Sequence, residues 1–168
     1  MTSPFQRLPP RLCSYAVTDI ERFLPDEAAT CRLGAKLGAN IANGDVICLT
    51  GSLGAGKTTL ARAIIAAATG ANEAPSPTFS LVETYPAGAL SIWHFDLYRL
   101  EKAEDVWELG LEEALEKGIC LIEWPERIES FLPDNPLVLA LKADADARHL
   151  MIRTGGDWFD RLSDAGIA

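Results

Sequence analysis

Eight consecutive residues, Gly51-Ser52-Leu53-Gly54-Ala55-Gly56-Lys57-Thr58, fit the pattern G-x-x-x-x-G-K-[ST] at every required position. The chemistry explains the spacing. Glycines let the backbone curl so that successive N–H groups converge on phosphate oxygens. A helix that follows at once adds its N-terminal dipole and unpaired N–H groups to the same anion. Lys57 is placed to reach the β- and γ-phosphates, and the Thr58 hydroxyl to ligate magnesium. The expected phosphate cradle is therefore Gly51, Ser52, Leu53, Gly54, Ala55, Gly56, Lys57, Thr58 and Thr59.

Such a loop needs an acidic group at the end of a neighbouring strand to hold magnesium or its waters. Two residues qualify. Glu123 ends the apolar run Ile119-Cys120-Leu121-Ile122, and Asp96 ends Ser91-Ile92-Trp93-His94-Phe95. Glu123, Asp96 and Lys57 are the expected catalytic groups, with Thr58, Glu123 and Asp96 around the metal. ATP is favoured over GTP as the nucleotide. A guanine-reading [NT]-K-x-D is missed by one residue at Leu141-Lys142-Ala143-Asp144, and none of the thirteen glycines has an aspartate three positions before it. Between residues 63 and 147 only Arg99 and Arg127 are arginines, which is sparse for the closing lid of a small-molecule kinase.

The elements that must position these groups can be read from periodicity. Val46 to Thr50 is a short apolar strand of the buried parallel kind, and a helix runs from Lys57 to about Thr69. Upstream, Ser14 to Ile20 reads as a first strand. Pro25 at the first helical position opens a helix through about Ile41, with Leu33, Leu37 and Ile41 as its buried stripe. Phe79 to Tyr85 and Leu90 to Phe95 read as a hairpin around Pro86-Ala87-Gly88-Ala89. Two acidic helical pieces fill roughly 101–117. Leu137 to Leu141 and His149 to Arg153 form a late strand pair, and a C-terminal helix starts near Gly156 with Trp158, Phe159 and Leu162.

Length and charge bound the rest. The 168 residues suit one domain over 14–168, preceded by a loose tail over 1–13. Arg7 and Arg11 in that tail are faintly reminiscent of a transit peptide, but Pro4, Pro9 and Pro10 spoil an amphipathic helix. A net charge of −9 is the wrong sign for strong direct binding of nucleic acid or anionic lipid. No apolar run reaches the ~18–20 residues of a membrane span. The four cysteines show no C-x-x-C, and Cys48 and Cys120 lie in apolar runs, so free thiols in a reducing cytoplasm are expected.

Four blocks occur in order: Gly51 to Thr59, Ser76-Pro77-Thr78-Phe79, His94-Phe95-Asp96-Leu97-Tyr98-Arg99, and Ile122-Glu123-Trp124-Pro125-Glu126. Together they resemble the TsaE (YjeE) ATPases of bacterial tRNA threonylcarbamoyladenosine biosynthesis, over about residues 15–153. Pro25 to Thr30 fits that family's opening helix. The resemblance implies an α/β, P-loop NTPase-like three-layer fold with a mixed, partly parallel central sheet flanked by helices. It implies a weak ATPase that uses ATP and Mg2+ and supports the TsaB and TsaD subunits. In the same way it implies that Glu27, Trp124 and Arg148 lie beside the nucleotide. Ser52 departs from the aspartate often found there, at a position the loop pattern leaves variable.

Other readings stand beside this one: a small-molecule P-loop kinase, or a nucleotide-dependent binding module whose hydrolysis is incidental. Thr78 reads equally as a switch threonine sensing the γ-phosphate or as a turn residue. His94 shares a strand face with Asp96 and is either a structural histidine or a hydrogen-bonded support of the site. Tyr98 and Arg99 are a packing pair or part of a partner surface. Residues 101–129 carry ten acids and three bases, a solvated face or a dock for a basic partner.

Overall fold

The computed structural model describes residues 18–71 and 74–168. Among these residues seven strands form one sheet: β1 (Thr18–Leu24), β2 (Val46–Thr50), β3 (Val82–Ala87), β4 (Leu90–Asp96), β5 (Ile119–Glu123), β6 (Leu137–Asp144) and β7 (Ala147–Thr154). Their spatial order is β1-β7-β6-β2-β5-β4-β3. β2 pairs in parallel with β5 and β6, and β4 in parallel with β5. Antiparallel pairs finish both sides, β1 with β7 and β7 with β6 on one, β3 with β4 on the other. The mixed, partly parallel sheet is thus the architecture expected. Parallel strands need covered faces, and the apolar runs of β2 and β5 supply side chains for both.

One face carries α1 (Glu27–Gly38) and α2 (Lys57–Thr69), and the other α3 (Leu111–Lys117) with 3-10 segments at Ala103–Trp107 and Pro125–Phe131. Alternation along the strands sorts the core accordingly. Ile47, Leu49, Ile92, Leu121 and Leu139 cluster with Leu60, Ile64 and Ile65 of α2, while Cys48, Phe95, Cys120, Ile122 and Val138 meet Val106, Leu111 and Ile128. Burying each such aliphatic side chain is worth about 1.5–3 kcal/mol before entropy is charged against it. α1 lies so close on α2 that a Cβ at Gly38 would run into the backbone carbonyl of Ile64. A short α4 (Trp158–Asp164) closes the chain, burying Trp158 and Leu162. No helix among the described residues is long and apolar enough to cross a membrane.

Several boundaries move, each for a local reason. β1 extends to Leu24, past the expected end at Ile20, because the whole stretch pairs with β7. Residues 14–17, like the tail over 1–13, lie outside the described residues. α1 starts at Glu27 rather than Pro25: Asp26 is extended and its Oδ1 accepts the Ala29 N–H at 2.7 Å, which makes it the cap. The helix stops at Gly38, where the Asn40 side chain donates to the Lys36 carbonyl at 2.8 Å, and Ile41 joins the core from the loop. β3 begins at Val82, since residues 77–80 form a turn closed by Leu81 N–H to the Pro77 carbonyl at 2.8 Å. Pro86 and Ala87 belong to that strand, leaving Gly88-Ala89 as the hairpin turn. β6 and β7 run on to a tight turn at Ala145-Asp146, and α4 begins at Trp158.

Eight of the ten acids of 101–129 are exposed, as a solvated face requires. Glu129 is half-buried, and Glu123 alone is buried. That exception leads to the site.

Candidate active site

The glycine loop leaves the C-terminal end of β2, beside the ends of β4 and β5, where open parallel sheets place their ligands. Gly51 has φ +135, and a Cβ there would collide with the Leu141 carbonyl, so no other residue fits at the first turn of the loop. Gly56 precedes α2 and offers no side chain to its first-turn N–H groups. These donors therefore remain for an anion, as the sequence pattern requires.

Lys57 is buried at 4% exposure. Its Nζ donates to the carbonyls of Gly51 and Ser52, each at 2.8 Å, and lies 4.1 Å from the centre of the Trp124 ring. Burial pulls its pKa below the ordinary lysine range, while Glu123, Glu126 and Asp96 act against that pull. Trp124 is held at φ +60, directly after β5, with its ring tilted on Tyr98 at 4.9 Å.

Register brings Asp96 of β4 directly opposite Glu123 of β5. Glu123 Oε2 accepts the Thr58 hydroxyl at 3.0 Å, and Oε1 lies 2.9 Å from His94 Nε2. Asp96 Oδ1 accepts the Tyr98 backbone N–H at 3.2 Å. Burial raises the Asp96 pKa above the usual aspartate range; the Tyr98 hydrogen bond opposes the rise and the Glu123 charge adds to it. Among the described residues no three His, Cys, Asp or Glu side chains come together as a metal cluster. One hydroxyl with one or two carboxylates is instead the donor set of a magnesium that completes its shell with water and phosphate oxygens, so the residues fit that ion.

A cavity of about 460 Å³ is lined by the loop, Thr59, Thr78, Asp96, Tyr98, Arg99, Glu123, Trp124 and Arg148. Next to it a recess of about 210 Å³ shares Gly56, Thr59 and Arg148 and adds Asp26, Glu27, Thr30 and Asp146. A larger hollow of about 700 Å³ between α1 and α2 touches Glu27, Thr59 and Arg62, but reaches none of Lys57, Asp96 and Glu123. We place the site at the first two. The predicted residues accordingly divide between the cavity, with Lys57, Thr58, Asp96, Glu123 and Trp124, and the recess, with Glu27; Thr59 and Arg148 line both. Arg148 is tied down there, donating from Nη1 to the carbonyls of Ala145 and Ala147 at 3.1 and 2.7 Å.

Thr78 lines the cavity, with its hydroxyl 2.7 Å from that of Ser76. Alternation placed His94 beside Asp96; the contact it makes is with Glu123, across the strand pair. The spacing within β4 could not reveal a partner on β5. Arg99 stacks over the exposed Phe79 ring at 5.0 Å, a contact with no signal in the sequence. Lys142 and Asp144 are exposed at the end of β6, as a solvated strand end.

Residues 24–150 match the family described as threonylcarbamoyl adenosine biosynthesis protein TsaE. A tRNA threonylcarbamoyladenosine biosynthesis protein TsaE from Rickettsia conorii is 42% identical over 121 residues, covering 71% of this chain and 69% of its own. Its counterpart from Rickettsia bellii is 39% identical over 131 residues, covering 77% of this chain and 91% of its own. The crystal structure of YdiB from Bacillus subtilis superposes with a TM-score of 0.70 at 28% identity, covering 91% of this chain and 97% of that one.

Proposed function

Since the chain belongs to the TsaE family, with its place in tRNA threonylcarbamoyladenosine biosynthesis, we propose that it is the ATP-hydrolysing accessory subunit of that machinery. It works in the cytoplasm beside TsaB and TsaD, and it leaves contact with the tRNA to them. The observation that carries this reading is the meeting of Thr58, Asp96 and Glu123 around the glycine loop, with Lys57 buried at its base. An exposed acidic segment, 101–129, is poorly suited to an RNA backbone, which agrees with a role at second hand.

Loop N–H groups and Lys57 bind the phosphates of ATP and stabilise charge as it develops in the transferring phosphoryl group. Thr58 and Glu123 would hold magnesium, with Asp96 at the same margin. When bound with the nucleotide, such an ion would supply positive charge against the phosphate oxygens. Both oxygens of Glu123 are engaged, by Thr58 and His94, which suits a fixed ligand. Asp96 gives one oxygen to the Tyr98 N–H, and burial raises its proton affinity, which suits the group that orients the attacking water and accepts its proton. Glu27 and Arg148 flank the nucleotide, and Trp124 shields Lys57 from water.

The test is ATP turnover with purified TsaB and TsaD, run beside a reconstituted tRNA modification assay. Omitting the chain should stop multiple turnover of the modification. Asp96→Ala and Glu123→Ala should each cut phosphate release by about a hundredfold. If both keep full ATPase activity, the site assignment is wrong. Phosphate released without any phosphorylated acceptor separates this reading from a kinase.

A further inference from the structure

His94 is fully buried, yet one of its two ring nitrogens, Nδ1, has no hydrogen-bond partner among the described residues. An unsatisfied buried nitrogen carries a desolvation cost, and interior positions of this kind are usually filled by apolar residues. The other nitrogen explains why a histidine stands here. It meets Glu123 Oε1 at 2.9 Å, while Oε2 of the same carboxylate receives the Thr58 hydroxyl. An ionised carboxylate only accepts, so the imidazole must present its hydrogen on Nε2.

The placement follows from the sheet. Ile92, His94 and Asp96 share the face of β4 that α2 covers, and Ile92 packs there with Leu121 and Ile64. His94 pairs in register with Leu121, two residues before Glu123, so the imidazole reaches the carboxylate diagonally across the strands. Beneath it lies closed apolar core; above it lies the loop. A glutamate side chain has three rotatable bonds, and nothing in β5 itself sets the direction of its carboxylate.

We propose that His94 is a positioning residue: its Nε2–H clamps Glu123 Oε1 and thereby aims Oε2 at Thr58, presetting the protein's share of the magnesium site before nucleotide arrives. The unpartnered Nδ1 is the cost of having a donor that reaches so far into the apolar layer. The proposal rests on the nucleotide-binding reading above, and goes beyond it by assigning a fixed tautomer and a task to a residue outside the cavity wall.

Two measurements test it on the full chain. The chain has two histidines, so the nitrogen NMR spectrum of the imidazoles in nucleotide-free protein is simple to assign. His94 should appear as a single Nε2–H tautomer with slow proton exchange, and His149, which is exposed, should exchange freely. An Nδ1–H tautomer at His94, or a mixture, overturns the clamp. The second measurement is Mn2+ binding in the presence of ADP, followed by electron paramagnetic resonance, with ADP binding in EDTA as the control. A glutamine amide can place N–H near the Nε2 position; an asparagine amide is too short. His94→Asn should therefore weaken Mn2+ binding about tenfold while ADP binding in EDTA is kept, and His94→Gln should recover it to within about threefold. Equal Mn2+ affinity in His94→Asn and wild type, or equal loss in both variants, overturns the proposal. Should His94→Asn not fold, a tenfold loss in His94→Gln is the overturning result and near-wild-type affinity the supporting one. Wild type that binds ADP without any gain from Mn2+ instead sinks the nucleotide-and-magnesium reading, while the tautomer result still judges the clamp.

Discussion

His94 meets Glu123 at 2.9 Å with both side chains buried, whereas His149 meets Asp144 at 3.2 Å on the β6–β7 hairpin with both side chains about half exposed or more. The residue types are nearly the same and the distances similar. Their consequences differ because solvent differs. Water and salt screen the outer pair, and Phe23 tilts against the His149 ring without sealing it. The inner pair sits where a lost partner leaves a polar group with no water to turn to. The same contrast divides the molecule. The parallel half of the sheet buries the carboxylates of Asp96 and Glu123 at its strand ends, and the antiparallel half keeps its ion pairs partly exposed, as in the Arg153–Asp19 pair at 2.7 Å.

The largest expected difference between the two kinds of environment is chemical. Cys48 and Cys120 are buried in β2 and β5, and burial pushes their thiols up, Cys120 to about 12, whereas Cys31 is exposed on α1. Iodoacetamide at pH 8 should alkylate Cys31 at least about a hundredfold faster than either, read by peptide mass spectrometry of the native protein. Comparable rates would mean that the parallel core opens readily.

Next comes the pair itself. His94→Ala should lower the unfolding free energy by about 1–3 kcal/mol in urea titrations, by leaving Glu123 Oε1 without its donor. His149→Ala should change it by less than about 0.5 kcal/mol. A similar loss from both substitutions would erase the distinction drawn here.

The smallest effect lies at the sheet edge. The Arg153 hydrogen bonds hold the Asp19 carboxyl below the usual aspartate range, against a modest opposing push from burial. A folded pKa below the unfolded value means stability present above the unfolded pKa, about 3.9, and lost as pH falls through the folded one. Asp19→Asn should therefore lower the melting temperature slightly at pH 7, by less than about 1 kcal/mol in stability terms. That difference should fade on acidification below about pH 3.9. Persistence of the full difference in strong acid would show that Asp19 acts by something other than its charge.

Legibility from the sequence followed the range of the interaction. The glycine loop was readable because its pattern is local: six backbone conformations, one lysine and one threonine hydroxyl lie within eight residues. β2 and α2 came out with their observed boundaries for the same reason, each bounded by the loop it must serve. Asp96 and Glu123 could be chosen as strand-terminal acids, since an apolar run ending in a carboxylate is also local. The ends of α1 and β3 were misplaced where a side-chain cap or a turn closed by one hydrogen bond outweighed periodicity, at Asp26 and at Pro77 to Leu81.

Strand pairing is another matter. A strand's sequence states which residues share a face, so Ile92, His94 and Asp96 could be grouped, but it does not state which strand lies alongside or in what register. By itself the sequence determined the glycine loop with its lysine and threonine, the two strand-terminal acids, and where the negative surface lies. Only the tertiary structure decided that Asp96 faces Glu123, that His94 serves Glu123 rather than its neighbour in the chain, and that Trp124 covers Lys57. Those contacts join residues up to 67 positions apart, such as Lys57 and Trp124. They exist because burying two apolar faces of one sheet fixes the order and register of its strands, a requirement of the whole chain that no single segment encodes.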